Sequence, residues 1–267
     1  MEKRIICVYT NKTPASLDTY KLLKEKMEKS GFSVLDDFRE DAELLVTIGG
    51  DGATLQAIQK FDFPDIPIIG INTGHLGFFQ EISPGQLEDF ITNYKARRFR
   101  LQPTTAVQAT VKTGDGDFVH KGFNEVVLRG GHSCTVHFNI SIGNSFIERF
   151  SGDGILIATS AGSTAYNYSL GGSIVDPRLK LLQVTPIAPM NTTAYRSFTS
   201  SILLPPDLSL NVIPEPGRDS NVYILCDGNE TKYEEIEHIR VEFSETVVNL
   251  LRFETYDFWN KVKTKFL

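Results

Sequence analysis

The sequence predicts an α/β domain over residues 1–100, followed by a β-rich, sandwich-like domain over residues 101–267. Two observations carry this prediction. In the first hundred residues, apolar runs alternate with stretches of helical periodicity, which is the pattern of an open α/β sheet. Beyond residue 104, short runs rich in β-branched and aromatic residues are separated by glycine-containing turns, which is typical of packed β-sheets. A length of 267 residues accommodates two such domains.

Three apolar runs in the first domain predict short buried strands, at residues 4–9, 44–48 and 66–71. Helical periodicity predicts a helix that begins near Ser16 and ends at Gly31, and two more at residues 53–60 and 85–96. Apolar runs without alternation indicate parallel strands that are covered on both faces. Ligands of such sheets bind beyond the carboxyl ends of the strands, and residues 49–52 directly follow one of them.

The second domain is predicted to consist mainly of strands. They are expected at residues 105–113, 117–128, 134–142, 145–150, 154–158, 202–204, 208–213, 221–226, 236–243 and 247–253. Helical spacing returns around residues 164–171 and again in the tail, residues 255–266. The tail has one apolar face, so we expect it to pack against another surface, for which the first domain is a candidate.

Charge and cysteine content exclude several classes of protein. The net charge is −6 and there is no basic block, so binding to nucleic acid or to an anionic membrane is not expected. The three cysteines, Cys7, Cys134 and Cys226, form no CxxC pair, which is typical of reduced thiols in a cytoplasmic protein. No apolar stretch approaches the length of a membrane span.

The motif Gly49-Gly50-Asp51-Gly52 joins a predicted strand to a predicted helix. Its glycines allow close approach of the backbone to a ligand, so Gly49, Gly50 and Gly52 are predicted to bind the phosphates of a donor. The motif has no lysine, so we expect Mg²⁺ or another divalent cation to neutralise that phosphate. Asp51 would repel phosphate unless it accepts a proton from an attacking hydroxyl or binds the cation. The alternative is a tight turn in which Asp51 caps the helix.

Two further motifs contain polar side chains suited to a nucleotide. Asn124 can donate and accept hydrogen bonds, and Glu125 can accept two of them from neighbouring ribose hydroxyls. The alternative for this pair, which taken in isolation is favoured, is a strand end that enters solvent. Residues 153–172 form a segment rich in small hydroxyl residues after a predicted strand. In that segment Tyr166 either stacks on a flat ring or fills the core. Phe78, in a glycine-containing stretch, either borders the nucleotide or packs in the core.

Together, these motifs resemble those of the NAD kinase family. The family hallmarks are a Gly-Gly-Asp-Gly-Thr loop, an Asn-Glu pair, and a Thr-Pro-Thr-Gly-Ser-Thr-Ala-Tyr segment that continues to Ser-x-Gly-Gly. Here they stand at residues 49–53, 124–125 and 159–172, in the same order and with fitting spacing. The first motif is shared with diacylglycerol and sphingosine kinases, whereas the third is much more specific. Three departures are Ala53 for threonine, Ser160-Ala161 for Pro-Thr, and Ser151 where some relatives have arginine.

The resemblance implies Asp51 as the catalytic base on the ribose 2′-hydroxyl of NAD. It also implies NAD contacts from Gly52, Asn124, Glu125, Asp153, Thr164, Ala165, Tyr166, Ser169 and the backbone of Ala188, with Asp227 near the site. Asp51, Phe78, Ser163 and Asn167 complete the set of predicted NAD-binding residues.

The implied reaction transfers a phosphoryl group from ATP, another nucleoside triphosphate or polyphosphate to NAD, giving NADP. A homodimer or homotetramer is the assembly that the resemblance implies. The alternatives are a lipid kinase and a non-catalytic regulator that binds NAD or NADP. The Ser/Thr-rich third motif favours a nucleotide over a lipid, and a pure binding protein would gain nothing from the Asp51 carboxylate.

Overall fold

The computed structural model describes residues 4–75, 77–131, 134–193, 196–215 and 221–266. The chain forms two compact units, of which the first comprises residues 1–104 and 247–267 and the second residues 105–246. The predicted combination of an α/β domain with a β-rich domain is confirmed. The C-terminal segment, however, belongs to the first unit, although the sequence-based division assigned all residues after 100 to the second.

Strands and helices alternate through the first unit. In chain order they are β1 (Arg4–Thr10), α1 (Pro14–Lys29), β2 (Phe32–Leu35), β3 (Leu44–Gly49), α2 (Asp51–Lys60), β4 (Ile68–Asn72), β5 (Gln80–Ile82) and α3 (Leu87–Lys95). The strands pair in parallel in the order β2-β1-β3-β4-β5. All six residues of β3 are buried, as its unbroken apolar sequence predicts. Helix α1 begins before Ser16, because Thr13 caps it and Pro14 occupies its first turn.

The register of the first sheet determines where its loops lie. Gly49, at the end of β3, pairs with Asn72, at the end of β4. The glycine motif after β3 and the loop after β4 therefore leave the sheet at the same edge. This is the edge at which ligands of parallel sheets bind.

The second unit is a sandwich of antiparallel strands. Its elements are β6 (Arg100–Thr113), β7 (Gly116–Gly122), β8 (Glu125–Gly130), β9 (Val136–Ile142), β10 (Ser145–Gly152), β11 (Gly154–Ala158), α4 (Tyr166–Ser169), β12 (Leu182–Ile187), β13 (Ile202–Leu204), β14 (Leu210–Pro214), β15 (Val222–Cys226), β16 (Asn229–Tyr233) and β17 (Ile236–Arg252), and α5 (Phe258–Phe266) follows at the end of the chain. One sheet has the order β13-β12-β11-β8-β15-β16, and β9, β10, β14 and the first part of β17 pair in another. Leu128 and Ile157 of the former share a core with Phe138 and Val212 of the latter.

Several sequence-based predictions for this unit need correction. The run predicted at residues 117–128 is broken between β7 and β8, and β17 is one continuous strand where two were predicted. The helix predicted at 164–171 is a 3₁₀ turn (Ala161–Thr164) followed by the single turn of α4. Strands β12 and β16 were not predicted, and Pro186 is unusual in a strand such as β12 that pairs on both sides. The structure tolerates Pro186 because β13 pairs only with residues 182–184, so β12 has a free edge at the proline.

Within the described part of the chain, no helix has both the length and the apolar character that crossing a bilayer requires.

Candidate active site

The glycine motif forms an open turn between β3 and α2. Gly49 has a φ of +150°, and a Cβ there would lie 2.7 Å from the Cβ of Ala53, so this position requires glycine. A Cβ at Gly50 or Gly52 would meet no described atom within 4 Å. The turn therefore has one side fitted against the protein and one side open to a ligand. Ala53 is buried against Gly49, so this departure from the family pattern faces the protein interior.

The Asp51 carboxylate is oriented by the loop that follows β4. Its Oδ2 accepts a hydrogen bond from the backbone N–H of Phe78 (3.0 Å), and its Oδ1 accepts one from Phe79 (2.9 Å). Gly50 is the N-cap of α2, and Asp51 is the first residue of the helix. Asp51 is therefore not the helix cap. Its side chain stays 24% exposed, so a ligand can still reach the carboxylate.

A lysine from the end of the chain faces this carboxylate. The Nζ of Lys265, in α5, lies 3.6 Å from the Oδ2 of Asp51. The glycine motif itself contains no lysine, so the sequence predicted a metal ion as the source of positive charge. Tertiary structure brings a lysine there from more than two hundred residues away. The helical spacing of the tail was the available signal, but it could not show which loop the helix would meet.

Phe78 contributes its backbone to the site, whereas its side chain packs in the core. The ring is 4% exposed and lies 5.8 Å from the ring of Phe258 and 5.7 Å from that of Phe266. The side chain thus matches the core-packing alternative, while a contact of Phe78 with the nucleotide stays a prediction. Gly77, beside it, has no room for a Cβ, which would collide with the Asp51 carboxylate.

In the second unit, Asp227 determines the backbone conformation around Asn124 and Glu125. Asp227 and Gly228 form a two-residue hairpin turn with φ values of +49° and +90°. The Asp227 carboxylate accepts hydrogen bonds from the N–H groups of Phe123 (2.7 Å), Asn124 (2.8 Å) and Glu125 (3.3 Å). These bonds lie at the break between β7 and β8. They also orient the Asn-Glu pair.

Asn124 and Glu125 are buried but incompletely hydrogen-bonded. They are 4% and 8% exposed, and the Oδ1 of Asn124 and the Oε2 of Glu125 have no hydrogen-bond partner among the described residues. Burial, and then the nearby Asp227 carboxylate, raise the pKa of Glu125 to about 8. Buried polar atoms are nearly always paired, so these two point to a partner that comes from a ligand.

The third motif is joined to the second through its backbone. The N–H of Thr159 donates to the Asn124 carbonyl (2.9 Å), and the Thr159 hydroxyl donates to the Phe123 carbonyl (2.8 Å). Gly162 lies so close to Asn124 that a Cβ would collide with its backbone. The second and third motifs, which are well separated in sequence, therefore form one structural group.

Two of the predicted NAD-binding residues form hydrogen bonds inside the second unit. Ser163 and Asn167 are fully buried. The Ser163 hydroxyl accepts from the N–H of Val175 (3.0 Å), and the Asn167 Oδ1 accepts from the Thr185 hydroxyl (2.6 Å). Their side chains bond to other parts of the second unit, and their contact with NAD stays a prediction. Thr164 and Ala165 are half-buried, whereas Tyr166 and Ser169 are exposed.

A cavity of about 250 Å³ adjoins the exposed residues of this motif. Asp153 and Tyr166, both predicted to contact NAD, lie in its wall. The other lining residues are Arg129, Gly130, Gly131, Cys134, Ile187, Tyr223 and Glu230. Ala188, which follows Ile187, is exposed and has a φ of +44°, an unusual conformation for alanine.

The two serines that depart from the family pattern form hydrogen bonds with residues of the second unit. Ser151 is fully buried, with its hydroxyl 2.8 Å from the Nδ1 of His137 and its N–H donating to Ser197. The Ser160 hydroxyl donates to the carbonyl of Leu179. Both side chains are therefore occupied inside the second unit.

The described residues do not form an all-protein metal site. No group of three or more histidine, cysteine, aspartate or glutamate side chains in that part of the chain could hold a metal ion. Magnesium often binds through one carboxylate together with substrate phosphates and water, so this geometry suits an ion that arrives with its phosphate ligand.

Comparison with known proteins identifies the family. Residues 1–99 match the model of the ATP-NAD kinase N-terminal domain, and residues 123–253 match that of the ATP-NAD kinase C-terminal domain. The NAD kinase of Finegoldia magna is 38% identical over 99% of this chain and 98% of its own. The NAD kinase of Pediococcus pentosaceus is 30% identical over 98% of this chain and 97% of its own.

Solved structures agree in fold. Yeast NADH kinase complexed with NADH superposes with a TM-score of 0.83 at 21% identity, covering 98% of this chain and 86% of the yeast chain. An NAD kinase from Archaeoglobus fulgidus in complex with ATP gives a TM-score of 0.75 at 22% identity, covering 98% and 99%. At these identities the superpositions show the shared fold. The full-length sequence similarity and both family models show that the chain belongs to the NAD kinase family.

Proposed function

We propose that this chain transfers the γ-phosphoryl group of ATP to the 2′-hydroxyl of the adenosine ribose of NAD, with NADP as the product. Membership in the NAD kinase family supports an enzyme of this kind. The observation that carries the proposal is the Asp51 carboxylate, held by two backbone N–H groups beside an open glycine turn. A pure binding protein would gain nothing from a carboxylate oriented at a phosphate site.

Asp51 acts in this proposal as the general base. Each carboxylate oxygen accepts one N–H hydrogen bond, which leaves acceptor capacity for the ribose hydroxyl. Asp51 accepts the proton of the ribose 2′-hydroxyl. The 2′-oxygen attacks the γ-phosphorus of ATP in line with the departing ADP. Most of the catalysis in such a transfer comes from positioning and charge neutralisation. A general base contributes about 10²–10⁴-fold.

The donor phosphates bind at the glycine turn. Gly50 and Gly52 leave room for phosphate oxygens beside the N-terminus of α2, and helix N-termini bind anions through their backbone N–H groups. We assign the divalent cation to the donor, as the magnesium complex of ATP, because the described residues provide no metal cage. Lys265 adds a protein cation on this side. Polyphosphate offers the same oxygen chemistry and is the second donor to test.

NAD is bound through the second unit. The orphaned oxygens of Asn124 and Glu125 suit hydroxyl and amide donors of a dinucleotide, with Glu125 accepting from vicinal ribose hydroxyls. Asp153 and Tyr166 line a cavity where a flat ring can stack on the exposed tyrosine. Gly52, Thr164, Ala165, Ser169 and the backbone of Ala188 complete the proposed contacts. A cytoplasmic homodimer or homotetramer is the proposed assembly.

One assay tests the reaction and its rivals. The purified chain is incubated with NAD and the magnesium complex of ATP, and NADP is measured with an NADP-specific dehydrogenase. Parallel reactions replace ATP by polyphosphate, NAD by NADH, or NAD by diacylglycerol in micelles. NADP formation that depends on both chain and donor is expected. Saturable NAD binding without turnover would establish the regulator instead, and phosphorylation of the lipid alone would establish a lipid kinase.

A further inference from the structure

The loop that holds Asp51 is itself held from its other side by cations. The Lys261 ammonium, in α5, donates to the carbonyls of Gly77 (3.2 Å), Phe78 (3.5 Å) and Gln80. The Arg252 guanidinium, at the end of β17, donates to the carbonyls of Phe79 (3.0 Å) and Phe78 (3.4 Å). Both residues belong to the segment that returns to the first unit.

These contacts place two peptide groups directly between a cation and the Asp51 carboxylate. In the first, the Gly77 carbonyl accepts from Lys261 while the Phe78 N–H donates to Asp51. In the second, the Phe78 carbonyl accepts from Lys261 and Arg252 while the Phe79 N–H donates to Asp51. A hydrogen bond to the carbonyl of a peptide polarises its N–H, so each chain of bonds strengthens the next.

The two cations differ in how deeply they are embedded. Arg252 is buried and forms an ion pair with Glu81 at 3.2 Å, and both side chains are 2% exposed. Its Nε also donates to Gln102, so a substitution of Arg252 would disrupt several buried contacts. Removing one partner of such a pair leaves an uncompensated buried charge. Lys261 is half-buried and faces the loop carbonyls, so it can be changed with less damage to the core.

We propose that Lys261 is a positioning residue, which fixes and polarises the two peptide groups that orient the Asp51 carboxylate for proton transfer. This inference rests on the proposed role of Asp51 as the base. Lys261 is not among the residues proposed to contact NAD or ATP, so removing the ammonium is expected to lower kcat while leaving the KM values for NAD and ATP nearly unchanged. A misplaced base costs rate even when the binding groups remain in place.

The charge of Lys261 responds to pH because of its surroundings. Burial first, and then the Arg252 guanidinium, lower its pKa to about 8, and Lys265 acts in the same direction. The Glu81 and Asp51 carboxylates act in the opposite direction, and the Tyr256 ring lies 5.1 Å from the ammonium. Lysine is charged below its pKa, so the polarising charge is lost as pH rises through about 8.

The experiment compares full-length wild type with Lys261→Met, Lys261→Arg and the control Lys263→Met. Lys263 is an exposed residue of the same helix. For each protein, kcat and the KM values for NAD and ATP are measured from about pH 6 to about pH 9.5. We expect Lys261→Met to lower kcat about ten- to hundredfold with little change in either KM. The alkaline decline of kcat near pH 8 should disappear in Lys261→Met. Lys261→Arg should restore activity without that decline, because arginine stays charged.

A second readout needs no turnover. Hydrogen–deuterium exchange at the amides of Phe78 and Phe79 should accelerate in Lys261→Met and stay at the wild-type rate in Lys263→Met. Wild-type kcat and wild-type amide exchange in Lys261→Met would overturn the inference, as would a lower melting temperature with an unchanged kcat and pH profile. Absence of NADP from the wild type would sink the proposed function instead, and the exchange rates would still decide whether Lys261 holds this loop.

Discussion

The two units present carboxylates in opposite environments. Asp51 is partly exposed, and two backbone N–H groups and a lysine face it. Glu125 is buried, lies near the Asp227 carboxylate, and has one oxygen without a hydrogen-bond partner in the described chain. The Asp51 carboxylate thus already has hydrogen-bond donors within the protein, whereas the Glu125 carboxylate is disfavoured until something donates to it.

This difference separates two tasks. A base must be oriented before the substrate arrives, because its contribution depends on geometry at the moment of proton transfer. A binding group can lack hydrogen-bond partners in the free protein, because a ligand that supplies the missing hydrogen bonds then gains binding free energy from them. The comparison therefore predicts that changes at Asp51 act mainly on rate and that changes at Glu125 act mainly on NAD affinity.

The largest expected effect is that of Asp51→Asn. The amide lacks basicity, and it can present an oxygen to only one of the two loop N–H groups. We expect kcat to fall about 10²–10⁴-fold while the fold persists. Steady-state kinetics and near-ultraviolet circular dichroism check both points, with the exposed Asp65→Asn as the matched control. Near-normal turnover in Asp51→Asn would show that another group is the base.

Glu125 should make NAD binding depend on pH. Its pKa of about 8 means that the carboxylate becomes available only as pH rises. If ribose hydroxyls donate to it, the Kd for NAD should fall by up to about tenfold per pH unit below the pKa and level off above it. Calorimetric titration of NAD into wild type and Glu125→Gln checks this. The variant should bind about tenfold more weakly above pH 8 and show no such slope. Tighter binding at low pH would mean that Glu125 donates a hydrogen bond as an acid.

Asp227, which lies near Glu125, is also expected to contribute to the stability of the protein. Asp227→Ala removes the acceptor of three backbone N–H groups and places alanine at a φ of +49°, so we expect a loss of about 1–3 kcal/mol in the free energy of unfolding. Asparagine keeps an acceptor and tolerates this turn, so Asp227→Asn should lose much less. Urea denaturation measures both. Because Asp227→Asn removes a negative charge near Glu125, it should also move the pH dependence of NAD binding to lower pH.

The smallest expected effect is that of Lys265→Met. The lysine side chain is 36% exposed and lies 3.6 Å from Asp51, so the pair is screened by solvent. We expect a change in kcat or in the KM for ATP of no more than about fivefold, and less at high salt. Kinetics at two ionic strengths measure it. A loss approaching that of Asp51→Asn would place Lys265 among the groups that contact the donor.

Local patterns in the sequence were sufficient for the glycine turn. Gly49 needs its positive φ, and Gly50 and Gly52 leave open space, which the run of glycines after a buried strand already indicated. The Asn-Glu pair and the small-residue segment could also be selected, because polar residues interrupting a strand stand out. Their partners could not be predicted. Neither Ser163 nor Asn167 carries a local sign that its side chain is fully buried and bonded to distant parts of the second unit.

The sequence by itself predicted the two kinds of domain and a glycine turn of the phosphate-binding type that contains the proposed base, because strand periodicity and glycine geometry depend on neighbouring residues. Tertiary structure alone decided what surrounds each carboxylate. Lys261 reaches the Gly77 carbonyl across 184 positions, and Asp227 reaches the N–H of Phe123 across 104. Such contacts form only when distant segments pack together, so the environments that separate Asp51 from Glu125 belong to the fold and leave no local trace in the sequence.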